Sequence, residues 1–251
     1  MTPTIPARGR VVALMPARNS AKTLENTVRE IPPGYVDALI LADNASRDDT
    51  VAIAERLGIT VIRQTADRGF GGNMKTLFKA GLAAGAEFLI ELHPDNQYDA
   101  GDIPKLLEVM AGHKHAIVMG SRFIPTRNAI EGGMPWWKFV ANRALTFLNN
   151  LLMGANLTEF HCGLRVYSAE WLKTVPIDTL SDDFKLGFET IALAIADKRS
   201  VAEIPTACRY FDEASSNPFA GSVKYGWGTL TESFNVFLFR LGLGGARLRV
   251  F

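Results

Sequence analysis

The segment IELHPDNQYDAGDIPKLL, from Ile90 to Leu107, begins as an apolar strand and ends as a helix, with His93, Asp95, Gln97 and Asp99 at alternate positions between. A carboxylate with a second oxygen donor two residues on can chelate a hard divalent ion. Magnesium or manganese held this way completes its shell from water and substrate phosphates. Asp95 and Gln97 are therefore candidate ligands for Mg2+ or Mn2+. The same residues also suit an Asx-type turn leading into a helix capped near Asp99 or Asp102. Alone, the segment leaves both readings open.

The other candidate chemistries are weaker. In RGFGGNMKT the glycines would let backbone amides approach an anion, but Met74 stands where a Walker motif needs glycine before Lys75 and where a dinucleotide fingerprint needs its third glycine. That stretch reads as a turn and helix start that shapes a pocket. His113 and His115 are too few for a zinc site. Cys162 adjoins His161 without the setting of an activated thiolate, and no Gly-x-Ser-x-Gly elbow is present.

Apolar strand-like runs position these residues, each followed by a helical pattern: RVVALMP and AKTLENTVREI, ALILAD and TVAIAERLG, ITVIRQ and NMKTLFKAGLAAG, EFLIEL and GDIPKLLEVMAG, with AIVMGSRF closing the series. This alternation predicts βαβ units on a parallel sheet covered on both faces, with ligands beyond the carboxyl ends of the strands. The polar clusters PARNS, DNASRDD, HPDNQYD and GSRF all fall at strand ends. After Phe123 the rhythm changes: TRNAIEGGMP is glycine-rich, WWKFVANRALTFLNNLLMG has helical periodicity with a bulky face, CGLRVYS and SVAEIPTACRY read as strands, and FKLGFETIALAIADK as a helix. The final aromatic- and leucine-rich segment, with three arginines, reads as a helix packed on the body plus a tail, the competing reading being a surface helix touching lipid.

The chain has 251 residues, 47% of them hydrophobic, enough for one sizeable core. A formal net charge of +1 gives no footprint for nucleic acid. Two cysteines exclude a disulfide framework, nothing at the start resembles a signal peptide, and no apolar run reaches the roughly 18 residues of a spanning helix. These features predict a cytoplasmic protein, soluble or peripheral at the inner face of the membrane.

Taken in order, ALMPARNSAKTLENTV, LILADNASRDDT, ELHPDNQYD, GSRF and CGLRVYS resemble the motif series of the family 2 inverting glycosyltransferases, nearest the dolichyl-phosphate mannose synthase and polyprenyl-phosphate glycosyltransferase branch. The likeness runs from about Val11 to Tyr225. It implies an α/β fold of GT-A type, a Rossmann-like, mostly parallel sheet flanked by helices in a single domain. Residues 10–123 would form the nucleotide-sugar-binding half, 124–225 the acceptor-side half, and 226–251 a C-terminal helix and tail. The implied donor is a UDP- or GDP-linked sugar, and the implied acceptor a lipid phosphate or another hydroxyl-bearing molecule or glycan. Homo-oligomerisation stays open. A sugar nucleotidyltransferase would show a Gly-x-Gly-Thr-Arg loop where PARNS stands. A non-catalytic nucleotide-binding scaffold remains the alternative.

By the same resemblance, Pro16, Ala17, Arg18 and Asn19 line the nucleoside pocket, Asp43 or Asn44 hydrogen-bonds the base edge, and Asp48 steadies that loop. Asp95 and Gln97 hold the metal bridging the donor phosphates, beside His93 and Pro94. His93 replaces the first aspartate of the family motif, which implies weaker metal attraction. Arg122 matches the phosphate-facing arginine, with Arg165, Arg209 and Lys224 as further cations, the last two near a donor-closing loop in YFDEASSNPFAGSVKYG. For an inverting attack, LSDDFKLGFET supplies Asp182, Asp183 and Glu189. Asp182 or Asp183 is the implied base, or orients an acceptor phosphate that needs none.

Overall fold

The computed structural model describes residues 9–210 and 219–243. The first half alternates β1 (Val11–Ala17), α1 (Leu24–Arg29), β2 (Ala38–Asp43), α2 (Thr50–Arg56), β3 (Thr60–Arg63), α3 (Gly69–Ala83), β4 (Phe88–Glu91), α4 (Ile103–Gly112) and β5 (His115–Ser121). The second half adds α5 (Arg127–Glu131), α6 (Trp136–Met153), β6 (Arg165–Ser168), α7 (Ala169–Leu172), α8 (Lys185–Ala196), β7 (Ser200–Pro205) and α9 (Phe219–Arg240). The seven strands form one sheet in the order β3-β2-β1-β4-β6-β5-β7. Only β6 runs antiparallel to its neighbours. The sheet is thus mostly parallel, and β6 fills the gap left when the chain crosses from β4 to β5 through α4.

Val11 to Met15 on β1 and Leu89 and Ile90 on β4 are fully buried. Such continuous apolar runs belong to central strands covered on both faces. The insertion of β6 has a chemical consequence, because its register sets Arg165 directly opposite Glu91 at the carboxyl end of β4. No periodicity within either strand announces that pairing.

Helix α3 begins at Gly69, earlier than the apolar pattern from Asn73 suggests. The amides of Gly71 and Gly72 donate to the Asp182 carbonyl at 2.8 and 3.3 Å. A Cβ on Gly71 would stand 2.2 Å from the Ser181 carbonyl oxygen. The glycines therefore let a helix start dock on the 181–183 loop, and two of their amides are already engaged there.

Strain gathers on the same edge of the sheet. Asn19, Ala45 and Asn96, in the loops after β1, β2 and β4, adopt φ of 52°, 57° and 57°. Left-handed non-glycine residues persist only where surrounding bonds hold them, and they concentrate at functional sites.

Candidate active site

Two cavities adjoin at the carboxyl ends of the strands, one of about 410 Å³ and one of about 220 Å³. The larger is walled by Pro16, Ala17, Arg18 and Asn19 after β1, Asn44 after β2, Asp67 to Asn73 around the start of α3, Pro94 and Asp95 after β4, and Asp183. His93, Phe70 and Phe184 line both. Phe70 stacks on Phe184 with ring centroids 4.8 Å apart and meets the His93 ring at 5.3 Å. These three rings form the partition between the cavities.

The wall of the larger cavity is fastened by side chains that bond backbone. Asn19 accepts from the Arg47 amide at 2.8 Å and its own amide donates to Ser46 Oγ at 2.8 Å. Asp48 accepts from the Ala21 and Thr50 amides. Burial raises its pKa, but the hydrogen bonds from Thr50 and Ala21 outweigh burial and hold it below the ordinary aspartate value. Asn44 donates to Asp67 at 2.7 Å and accepts from the Arg68 amide at 2.8 Å, so its amide is committed to the loop before α3. Arg18 pairs with Asp67 at the exposed rim. Asp43 is buried beneath this wall, where Oδ1 has no hydrogen-bond partner among the described residues, as is true of Asn73 Oδ1. Asn73 lines the larger cavity, so its Oδ1 is an acceptor for the N–H groups of a ligand there, whereas Asp43, expected at the base edge, lines neither cavity.

Asp95 and Gln97 are both buried, and the Gln97 amide donates to Asp95 Oδ1 at 3.1 Å. The Asx turn and the candidate ligands are therefore one structure. Asp95 lines the larger cavity and Gln97 the smaller. One carboxylate and one amide are hard oxygen donors that suit magnesium or manganese with phosphate completing the shell. Among the described residues no group of three or more His, Cys, Asp or Glu forms a ready metal cage. These donors fit an ion whose shell a substrate phosphate would complete.

His93 Nε2 lies 3.1 Å from Glu91 Oε1, and Tyr167 donates to Glu91 Oε2 at 2.8 Å. Burial raises the Glu91 pKa, but the Arg165 charge and the His93 hydrogen bond outweigh it, leaving Glu91 below the usual carboxylate value. Burial lowers His93, yet the bond to Glu91 and the charges of Glu91 and Asp95 more than compensate, raising it above an ordinary histidine. Position 93 is thus held toward the imidazolium by a carboxylate that the motif comparison does not include.

The smaller cavity lies against α6 and α9 and contains Arg122, Lys138, Tyr210, His161 and Tyr225. Arg122 is not an open fork: its Nε donates to Glu159 at 3.1 Å, a second nitrogen pairs with the same carboxylate, and a third donates to Tyr210 at 2.6 Å. Its charge is largely met by buried Glu159. Lys138 lies 5.5 Å from the Trp137 ring and has no carboxylate partner among the described residues. Burial and the Arg122 charge lower its pKa. His161 Nδ1 meets Tyr225 at 2.9 Å, while Nε2 is buried and unpartnered among the described residues. Burial, then Arg122 and Arg165, push its pKa down to about 3, so this ring is neutral.

Several expected placements change. Arg209 pairs with Glu30 at 2.9 Å and its amide donates to the Gln97 carbonyl, bracing the β4 loop from outside. Lys224 is exposed on α9. Neither lines either cavity. Asp182 turns away to pair with Lys75 at 2.8 Å, leaving Asp183 as the aspartate of that pair at the cavity wall. Glu189 is buried and accepts from Ser181, so it braces this loop. Residues 211–218 of the anticipated donor-closing loop lie outside the described residues. Glu91, Phe70, Phe184, Glu159 and His161 escape the motif reading. Glu91 alone leaves a sequence signal, an acid within the apolar run EFLIEL, which must find a buried partner.

A seven-stranded, mostly parallel sheet with paired cavities at its carboxyl edge is the GT-A architecture of nucleotide-sugar transferases. Residues 12–175 match the family model described as Glycosyl transferase family 2. The chain belongs to that family and is a glycosyltransferase. It is 26% identical over 218 residues to a UDP-N-acetylglucosamine–dolichyl-phosphate N-acetylglucosaminyltransferase of Methanococcus voltae, covering 80% of this chain and 86% of the relative. It is also 26% identical over 205 residues to an undecaprenyl-phosphate mannosyltransferase of Micrococcus luteus, covering 78% and 82%. In structure it resembles glucosyl-3-phosphoglycerate synthase from Mycobacterium tuberculosis in complex with Mn2+, UDP-glucose and phosphoglyceric acid. That likeness has a TM-score of 0.66 at 17% identity and covers 96% of this chain and 82% of that one.

Proposed function

We propose that this glycosyltransferase moves one hexose, with inversion, from a UDP- or GDP-sugar in the larger cavity to a polyprenyl phosphate presented through the smaller one. The observation that carries the reading is the pair of cavities meeting at Phe70, His93 and Phe184, with Asp95 on one side and the cationic Arg122 and Lys138 on the other. Relatives named for dolichyl- and undecaprenyl-phosphate transfer support the acceptor, and the Mn2+ and UDP-glucose named with the structural neighbour support the donor side.

On this reading Asn73 offers an acceptor to the base. Asp95 and Gln97 would hold Mg2+ or Mn2+, which supplies positive charge to the departing diphosphate when bound. The ring partition separates the donor from bulk acceptor until the anomeric carbon is aligned. Lys138 receives an acceptor phosphate, already ionised at neutral pH, with Arg122 held behind it by Glu159 and Tyr210, so the phosphate oxygen attacks without general-base help. Asp183 then orients the incoming group, and would serve as base only toward a hydroxyl acceptor.

The test incubates purified protein with UDP- and GDP-sugars, Mn2+ or Mg2+, and a polyprenyl phosphate, and follows the glycolipid by mass spectrometry. Product from at least one donor is expected. Donor binding by calorimetry without any product would favour the non-catalytic scaffold that His93 motivates.

A further inference from the structure

The smaller cavity holds more positive charge than free hydrogen-bond donors. Arg122, Arg165 and Lys138 line it, against the carboxylates of Glu91 at the wall and Glu159 behind Arg122, so one cation is left over before His93 is counted. Yet both guanidinium groups are engaged. Arg122 bonds Glu159 and Tyr210. Arg165 donates to the carbonyls of Cys162 at 2.7 Å, Phe160 at 3.3 Å and Gly187, and to the Tyr167 hydroxyl. The surplus charge favours an anion, while the hydrogen bonds that would seat it have to come from other groups.

His161 supplies one. It lies between α6 and β6 and lines the smaller cavity but not the larger. Its Nδ1 meets the Tyr225 hydroxyl at 2.9 Å, and its Nε2 is buried without a partner among the described residues. Burial pushes the Tyr225 phenol up to about 12, so it keeps its proton. Among the described residues its one hydrogen-bond partner is His161. The phenol proton therefore goes to Nδ1, which leaves the ring's own proton on Nε2. The ring is neutral, and the buried N–H it presents is costly to leave unbonded. Tyr225 and the near-parallel ring of Phe188, 6.4 Å away, hold it in place.

We propose that His161 Nε2–H hydrogen-bonds the acceptor phosphate in the smaller cavity, so that His161 and Lys138 together select an acceptor that carries this anion. The assignment deepens the proposed function and rests on its placing the acceptor in that cavity. A neutral donor suits the position, because a further cation would oppose Arg122 and Arg165, whereas an N–H adds direction without charge. An acceptor with no phosphate leaves the N–H and the surplus charge unmet together, which is how a polar site rejects an analogue lacking the group it reads.

Wild type is compared with H161F, which keeps an aromatic ring against Phe188 but has no N–H, and with H161Q, which restores an N–H donor. The probes are geranyl phosphate and geraniol, their binding measured by calorimetry with UDP present. H161F should bind geranyl phosphate about tenfold more weakly, H161Q should recover most of that loss, and UDP affinity should be the same in all three. Geraniol should bind wild type and H161F alike. Nitrogen-15 spectra of the wild-type histidine rings should show His161 in its Nε2–H form, with the Nε2 signal moving as geranyl phosphate is added; they decide the matter even if H161F does not fold. An Nδ1–H form, a signal that ignores bound geranyl phosphate, equal losses in H161F and H161Q, or wild type that binds no geranyl phosphate overturns the assignment. Weakened geranyl phosphate binding in H161F, with no glycolipid made by wild type from any donor, would uphold the assignment and sink the proposed transfer. Glycolipid made with the same acceptor KM by wild type and H161F would do the reverse.

Discussion

Residue 93 carries the main departure from the family motif, and its surroundings account for it. An aspartate there would face buried Glu91, and two adjacent carboxylates in a dry site resist joint ionisation. The chain has an imidazole instead, held at 3.1 Å from Glu91. Glu91, lowered on folding, contributes stability present above the unfolded carboxylate pKa of about 4.3 and lost as pH falls through its folded value. His93, raised on folding, contributes stability fully present below about 6.5 and lost as pH rises through its folded value. The pair therefore stabilises most between those limits. Denaturant unfolding from about pH 6 to about pH 8.5 should show wild type losing stability that His93→Gln does not lose. Two residues on, Asp95→Asn keeps an oxygen for the Gln97 amide and removes the charge, so it is expected to lower kcat/KM on the order of a hundredfold to a thousandfold with little change in the melting temperature, because it would remove charge stabilisation at the departing diphosphate. Unchanged turnover would remove Asp95 from the proposed metal site.

At the level of elements, the site depends on how the start of α3 meets the loop before α8. Gly71 and Gly72 donate to Asp182, and that contact fixes the adjoining Asp183 and Phe184 at the cavity wall. Gly71→Ala would drive a methyl into a backbone carbonyl that cannot swing away, at a cost of about 1–3 kcal/mol. A lowered denaturation midpoint together with a raised donor KM is expected; a lowered midpoint alone would mean that the loop is positioned by something else. The strands and helices of the first half were legible because alternating apolar runs and helical periodicity are local properties. The start of α3 was not, since its first turn is justified by a partner over a hundred residues later.

The whole molecule carries a formal charge of only +1, so its overall field does not draw it to an anionic surface. Attraction for an acidic ligand has to come from local groups such as Lys138 at the smaller cavity, and such attraction fades beyond a Debye length of about 8 Å at physiological ionic strength. On the proposed function, Lys138→Met should therefore raise the acceptor KM about tenfold and leave the donor KM unchanged. A raised donor KM with an unchanged acceptor KM would place that charge on the donor side of the ring partition instead.

The sequence by itself determined the α/β alternation, the carboxyl-edge location of the site and the family, because strand periodicity and the order of short motifs survive without knowledge of contacts. Tertiary structure alone decided that Arg165 lies opposite Glu91, that Glu159 meets Arg122, and that Arg209 and Lys224 stand outside the cavities. It also decided which face of the last helix is buried: an amphipathic stripe reads the same whether its apolar side looks inward or outward, and packing of α9 on α6 and α8 turns Ser233 and Val236 inward and leaves Trp227 at the surface.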